Sequence, residues 1–196
     1  MVELPLFQEE DGGSNPTSAL QLEVREISAL TASKAYYQWH YLKEQQFIAK
    51  VNFGAYWQGR LVGAISYGPP NATDLTGYWN RHTQHGWFEI KRLAMSPICP
   101  KNSESRFIGV TIRMLRKMFL VKGIVTYADD SQGHKGVIYK AAGFSLLGMT
   151  KPQKDFWVNG RIKHRGKTKG IQGERKPRPR KWLFIKDFRD KTCSNV

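Results

Sequence analysis

At 196 residues, 40% hydrophobic and 12% aromatic, the chain has the composition of one globular domain plus appendages and excludes a disordered polymer. It has no apolar run long enough to span a bilayer, its opening "MVELPLFQEEDGG" is acidic, and Cys99 and Cys193 are its only cysteines. These features argue against a membrane helix, a secretion signal, a disulfide framework or a thiolate zinc site, and toward a reducing cytoplasm. Lys and Arg number 31 against 16 acids, a net charge of +15; residues 151–196 hold 15 of the bases and only 4 of the acids, which calls for a polyanionic partner.

In chain order, residues 1–19 read as a flexible leader. "LQLEVREIS" (20–28) alternates like a half-buried strand, and "TASKAYYQWHYL" (31–42) has helical aromatic spacing with Thr31 or Ser33 as N-cap. "NFGAYWQGRLVGAISYG" (52–68) predicts a hairpin pivoting on Gln58-Gly59, followed by a polar loop over 69–86. "WFEIKRLAM" (87–95) alternates again, with Phe88, Ile90 and Arg92 on one face and Trp87, Glu89 and Lys91 on the other. "NSESRFIGVTIRMLRKMFL" is the strongest helix, capped by Asn102 or Ser103, with Phe107, Thr111, Met114, Leu115 and Met118 as its buried stripe. "GIVTYA" (123–128) is a short strand, "YADDSQGHKGVIYKAAGF" leads into a helix ending at Gly143, and "FSLLGMT" (144–150) is another strand. The tail holds a hairpin turning on Asn159-Gly160, a basic stretch, and a last strand "KWLFIKD".

This order predicts an α/β (α+β) fold with a mixed central sheet flanked by helices, and it resembles the GNAT (N-acetyltransferase) superfamily over residues 20–150. Residues 151–196 then form a basic, β-containing extension that packs on or continues the same domain. An ordinary GNAT enzyme holds the coenzyme A pyrophosphate on a small-residue turn opening its main helix, where backbone N–H groups approach the phosphates. Here that turn reads "CPKNSESRFIGV": Gly109 stands alone inside the helix, and Glu104 would repel a phosphate.

A second resemblance is closer. "WHYLK", "GAYWQGRLVGAISYG", "FEIKRLAM", "KNSESRFIGV" and the segment carrying Gln132-Gly133-His134 and Ile138-Tyr139 resemble the Mom family of bacteriophage DNA-modification proteins, across about residues 36–186. The resemblance implies an enzyme that converts adenine in double-stranded DNA to N6-(carbamoylmethyl)adenine in the host cytoplasm, shielding phage DNA from restriction. It also implies catalytic or substrate-orienting roles for His40, Tyr41, Asp129 and Tyr139. Chemically, a histidine can relay a proton near neutral pH, a carboxylate can accept one from an adenine amino group, and a phenol can protonate a leaving group. Asp129 follows "GIVTYA" at the carboxyl edge of the sheet, where open α/β folds place their sites, and Tyr139 can point back to that edge.

Glu89 and Arg92 support donor or substrate binding, but a regular strand sends them to opposite faces, and only a bulge turns both to one cleft. Asn102, Glu104, Ser105 and Arg106 match the family's helix start, as cap or as replacement donor contact, and His134 is a secondary candidate. Lys163, Arg165, Lys167, Lys169, Arg175, Lys176, Arg178, Arg180 and Lys181 are the phosphate-binding candidates, with Trp157 and Trp182 as stacking platforms for an extruded base. The resemblance carries iron without a ligand set in this sequence. For the acyl donor, glycyl-tRNA suits the missing pyrophosphate turn better than acetyl-CoA, and the tail has charge enough for a tRNA as well as DNA. Two other readings stay open: a coenzyme A-dependent N-acetyltransferase with a basic docking tail, and a nucleic-acid-binding protein on a degenerate GNAT scaffold.

Overall fold

The computed structural model describes residues 14–42, 47–163 and 171–189, with 161–163 described by backbone alone. Arg165, Lys167, Lys169, Cys193, the Lys163 side chain and most of the leader therefore lie outside the described residues.

A 3-10 turn (Ala19–Gln21) leads into β1 (Glu23–Glu26), and α1 (Ala29–Trp39) follows. The cap of α1 is Ser28, whose Oγ accepts the Thr31 N–H at 3.1 Å; Thr31 and Ser33 lie inside the helix, because Ser28 is the first residue after β1 whose side chain can satisfy the free amides. Ala32 and Ala35 are fully buried, and their small side chains let α1 lie close over the sheet. β2 (Val51–Trp57) and β3 (Arg60–Gly68) form the expected hairpin; Gln58 and Gly59 both have positive φ (47° and 79°), the backbone that matches strand twist. β4 (Trp87–Met95), α2 (Ser103–Met118), β5 (Gly123–Asp129), α3 (Val137–Ala141) and β6 (Ser145–Met149) complete the predicted order. The α2 stripe is shifted: Ile108 and Ile112 are buried, whereas Met118 is 42% exposed in the last turn of the helix.

The last quarter is an insertion and a return. β7 (Gln153–Val158), β8 (Arg161–Lys163) and β9 (Glu174–Arg178) make a separate three-stranded sheet of order β8-β7-β9, and β10 (Lys181–Asp187) rejoins the main sheet. The main order is β1-β2-β3-β4-β5-β10-β6, so the C-terminal strand sits between β5 and β6, antiparallel to both. β9, "ERKPR", has no hydrophobic alternation to announce it. It exists because β7 offers an open edge, along which Pro177 stands opposite Lys154.

Helices cover both faces. One face carries α2, through Phe107, Ile108 and Leu115, and α3 over Phe53, Tyr67, Ile90, Ile124 and Phe184. The other carries α1 over Ala64 and Ala94, with Trp79, Trp87, Val125 and Ile185 packed farther along. Gly136 joins the last loop to the core: its φ is +68°, and a Cβ there would stand 2.2 Å from the Phe184 ring.

Candidate active site

β4 and β5 are the only parallel pair among the described strands, and they stay together only from Trp87/Gly123 to Glu89/Val125. Beyond that point they part. On its other side β4 shifts register against β3, from Ser66↔Arg92 to Tyr67↔Ile90, which leaves Lys91 as an extra residue. This bulge supplies the turn that a regular strand lacks. Ile90 keeps to the α2 face, whereas Arg92, opposite Ser66, and Glu89, opposite Gly68, both face the α1 side. The strict alternation that grouped Arg92 with Phe88 and Ile90 is corrected by this one residue.

His40 and Tyr41 reach the gap because α1 ends there. His40, the C-cap, is extended (φ −100°, ψ 139°), and the chain then rolls Tyr41 across it with ring centroids 4.5 Å apart. The Leu42 N–H donates to His40 Nδ1 at 3.0 Å, so the neutral ring carries its proton on Nε2. Burial, then the charge of Arg92, then His134 and Lys181, lower the His40 pKa to about 4. At neutral pH the His40 ring is therefore neutral and offers Nε2–H as a hydrogen-bond donor.

The Tyr41 hydroxyl donates to Asp129 Oδ2 at 3.4 Å, and its ring meets His134 edge-on at 5.8 Å. Burial and the neighbouring Asp129 carboxylate raise the Tyr41 pKa to about 12, so the phenol stays protonated. Asp129 Oδ1 accepts from the Ser131 N–H at 3.1 Å and from the Ser131 hydroxyl at 2.6 Å. One carboxylate oxygen is thus anchored and the other faces Tyr41. The adjacent Asp130 is committed elsewhere, because its Oδ1 accepts Trp182 Nε1–H at 2.9 Å. The same contact fixes the Trp182 indole, whose half-buried ring packs against the α2-side core.

Tyr139 approaches from the opposite face. It is 9% exposed, wedged against Phe144 and Phe184, and its hydroxyl is close enough to bear on Tyr41 and Tyr67. Burial raises its pKa. Its hydroxyl comes near Thr126 without hydrogen-bond geometry, and the buried Thr126 Oγ1 has no partner among the described residues. Arg92 closes the α1 side by donating to the Leu42 carbonyl and lying 4.9 Å from the Phe47 ring centroid.

Beside this cluster, Glu89 is buried and accepts from the Asn71 N–H at 2.7 Å, with Lys91 at 3.4 Å. Burial raises its pKa despite these partners. Glu89 in turn helps burial raise the pKa of Tyr127, and Lys181 is close enough to act on both Glu89 and His40. Asn71 and Tyr127 went unread in the sequence. Only Tyr127 carried a signal, its period of two with Asp129 along β5. Lys181 lies on β10 opposite Asp129, so it belongs to this site as well as to the basic tail.

The start of α2 is not built as a pyrophosphate cradle. Asn102 is left-handed (φ 70°) and makes no side-chain cap; the Ser103 N–H and hydroxyl both donate to the Pro100 carbonyl, at 3.2 and 2.6 Å; and Glu104 stands in the first turn. Ser105 donates to Asn102 O, and Arg106 ties the Leu22 and Leu20 carbonyls to the helix at 3.1 and 3.4 Å. These residues do not fit the pyrophosphate of coenzyme A at this turn. Nor do the described residues bring together three His, Cys, Asp or Glu side chains able to hold a metal such as iron.

In the small sheet, Arg175, Lys176 and Arg178 stand exposed on β9. Two are paired, Arg178 with Asp155 and Lys176 with Glu174, the latter at 3.1 Å. Arg180 Nε donates to the Thr150 carbonyl at 2.9 Å. Trp157 lies 5.8 Å from Lys176 Nζ and borders a shallow hollow with Asn159, Gly160 and Gly173. No helix among the described residues is long and apolar enough to cross a membrane.

The model of the Mom protein family matches residues 21–192. The curated relative "Methylcarbamoylase mom" of Escherichia phage Mu is 27% identical over 139 residues, which cover 65% of this chain and 54% of that protein. The chain thus spans about half the length of the curated relative it matches. A GNAT family acetyltransferase from Elizabethkingia anophelis with acetyl-CoA bound superposes with a TM-score of 0.54 at 14% identity, covering 85% of this chain and 98% of the other. A Bacillus subtilis acetyltransferase in complex with CoA gives 0.50 at 14% identity, covering 85% and 97%. At these identities the likeness is one of fold, and it bears out the GNAT-like architecture expected from the order of elements.

Proposed function

The chain belongs to the Mom protein family, and from that premise we propose that it modifies the N6 amino group of adenine in double-stranded DNA, leaving a carbamoylmethyl group there; its phage Mu relative carries the name methylcarbamoylase. The observation that carries this reading is the Asp129–Tyr41–His40 cluster at the parting of β4 and β5, whose carboxylate has one oxygen anchored by Ser131 and the other held only by the Tyr41 hydroxyl. An adenine extruded from the duplex enters there. Asp129 Oδ2 accepts the N6 proton, His40 Nε2–H donates to an oxygen that gains negative charge, and Tyr41 holds both by its hydroxyl and its ring. The basic small sheet binds the duplex backbone.

Acyl-transfer chemistry reaches this product from an activated glycine. Attack of N6 on a glycyl ester forms an amide and releases the ester oxygen with the N6 proton. The glycyl amine then attacks C6 through a five-membered ring, and the old C6–N6 bond breaks. The original N6 leaves as the terminal carboxamide, so atoms balance without an oxidant. Glycyl-tRNA is a donor of this class, and the helix start unsuited to a pyrophosphate supports it over acetyl-CoA.

Mass spectrometry of nucleosides from cells expressing the chain tests the proposal. Modified adenine is expected with the wild type, is expected to fall ~10²–10⁴-fold in Asp129→Asn, and to persist in Asp130→Asn, whose amide oxygen can still accept from Trp182. Glycine labelled with ¹⁵N should place the label on the nitrogen attached to C6. Unmodified adenine from the wild type refutes the activity, and label in the carboxamide refutes the route.

A further inference from the structure

On the sheet face opposite Asp129 runs a groove of about 760 Å³ between the 3-10 turn, α2, the end of α3 and the end of β10. Lys101, Arg106, Arg113, Arg116 and Lys186 line it, and none of them pairs with a carboxylate among the described residues. Five like charges converging on one concavity repel each other, which an anionic occupant relieves. We infer that this groove binds the single-stranded 3′ end of an RNA, separately from the duplex on the other face.

Three observations favour a strand over a compact phosphate group. Arg106, Arg113 and Arg116 recur at spacings of seven and three, so they share one helix face and spread over roughly 15 Å of its axis. A single pyrophosphate engages one point of that row, and the helix start offers it no cradle; phosphates in series engage all of it. Gly109 forms part of the floor, and a Cβ there would meet only Arg113, at 3.8 Å. No packing explains a glycine at a helix position where alanine is the better helix former; an open floor for close backbone approach does. Lastly, Arg116 lies 4.7 Å over the half-buried Phe188 ring, a planar pair on which an unstacked base can lie.

The groove lies on the α2/α3 side of the sheet and the Asp129 cluster on the α1 side. What the strand carries rests on the acyl-donor reading above; its binding does not.

Fluorescence anisotropy with a labelled single-stranded RNA ending in CCA, and in parallel with duplex DNA, tests the groove on the full chain. The double variant Arg113→Ala/Arg116→Ala is expected to lose tenfold or more in RNA affinity, with duplex affinity unchanged and the RNA salt slope lower by ~1.4. Gly109→Leu, which fills the floor without altering charge and improves helix propensity, is expected to show the same selective loss. Asp129→Asn should bind RNA like the wild type, so inactivity and failed binding are told apart. Unchanged RNA affinity in both groove variants, equal losses for RNA and duplex, or displacement of the RNA by micromolar coenzyme A would each overturn the assignment.

Discussion

His40 should make the fold acid-sensitive in a defined window. An ordinary histidine titrates near 6.5, whereas burial, Arg92, His134 and Lys181 bring this one to about 4. At about 1.4 kcal/mol per pKa unit the difference corresponds to ~3 kcal/mol. His40 is partly open to solvent, which screens the charges around it and brings the figure to ~2 kcal/mol. The sign follows from proton uptake: below pH 6.5 the unfolded chain binds a proton that the folded chain refuses until about pH 4. The contribution is fully present above 6.5, is lost progressively between 6.5 and 4, and changes no further below. His40→Gln removes the titration while its side-chain oxygen can still accept the Leu42 N–H. Urea unfolding of both proteins at pH 7.0, about 5.5 and about 4.5 isolates the histidine from the carboxylates they share. The wild type is expected to lose ~2 kcal/mol more than the variant, and imidazole nitrogen shifts should show a neutral ring protonated on Nε2. Equal losses in the two proteins, or a His40 resonance titrating near 6.5, would refute both the charge state and the donor role built on it.

Two further outcomes follow from the architecture. The small sheet leaves and returns beside one point, where the Thr150 N–H donates to Lys181 O at 2.8 Å and Thr150 Oγ1 accepts the Lys181 N–H at 3.0 Å; replacing residues 152–179 by a short glycine linker should keep the cooperative thermal transition while reducing duplex affinity and its salt slope. Gly136→Ala should lower stability by ~2 kcal/mol or more, read from the thermal midpoint, because its φ of +68° strains a Cβ that would also strike Phe184.

The sequence by itself determined what depends on neighbours along the chain. Gln58-Gly59 and Asn159-Gly160 name their turns because few residues adopt positive φ, and both pairs do so here. "KWLFIKD" is a strand from end to end, and the aspartate closing "GIVTYA" lies at a sheet edge whatever the sheet's order. The family's motifs led to His40, Tyr41 and Asp129, which the fold gathers within contact of one another. Periodicity was silent on β9, whose edge partner lies about twenty residues away, and on the bulge at Lys91, which shows only where β4 is read against β3. It also left open which of two adjacent aspartates faces the gap, until Trp182, from a strand inserted between β5 and β6, took Asp130. The charge state of His40 was equally out of reach, because Arg92, His134 and Lys181 come from three distant parts of the chain. Local conformation is set by the dihedral preferences of a few consecutive residues, but burial and electrostatic environment are sums over atoms that only the packed sheet and its two helical layers bring together.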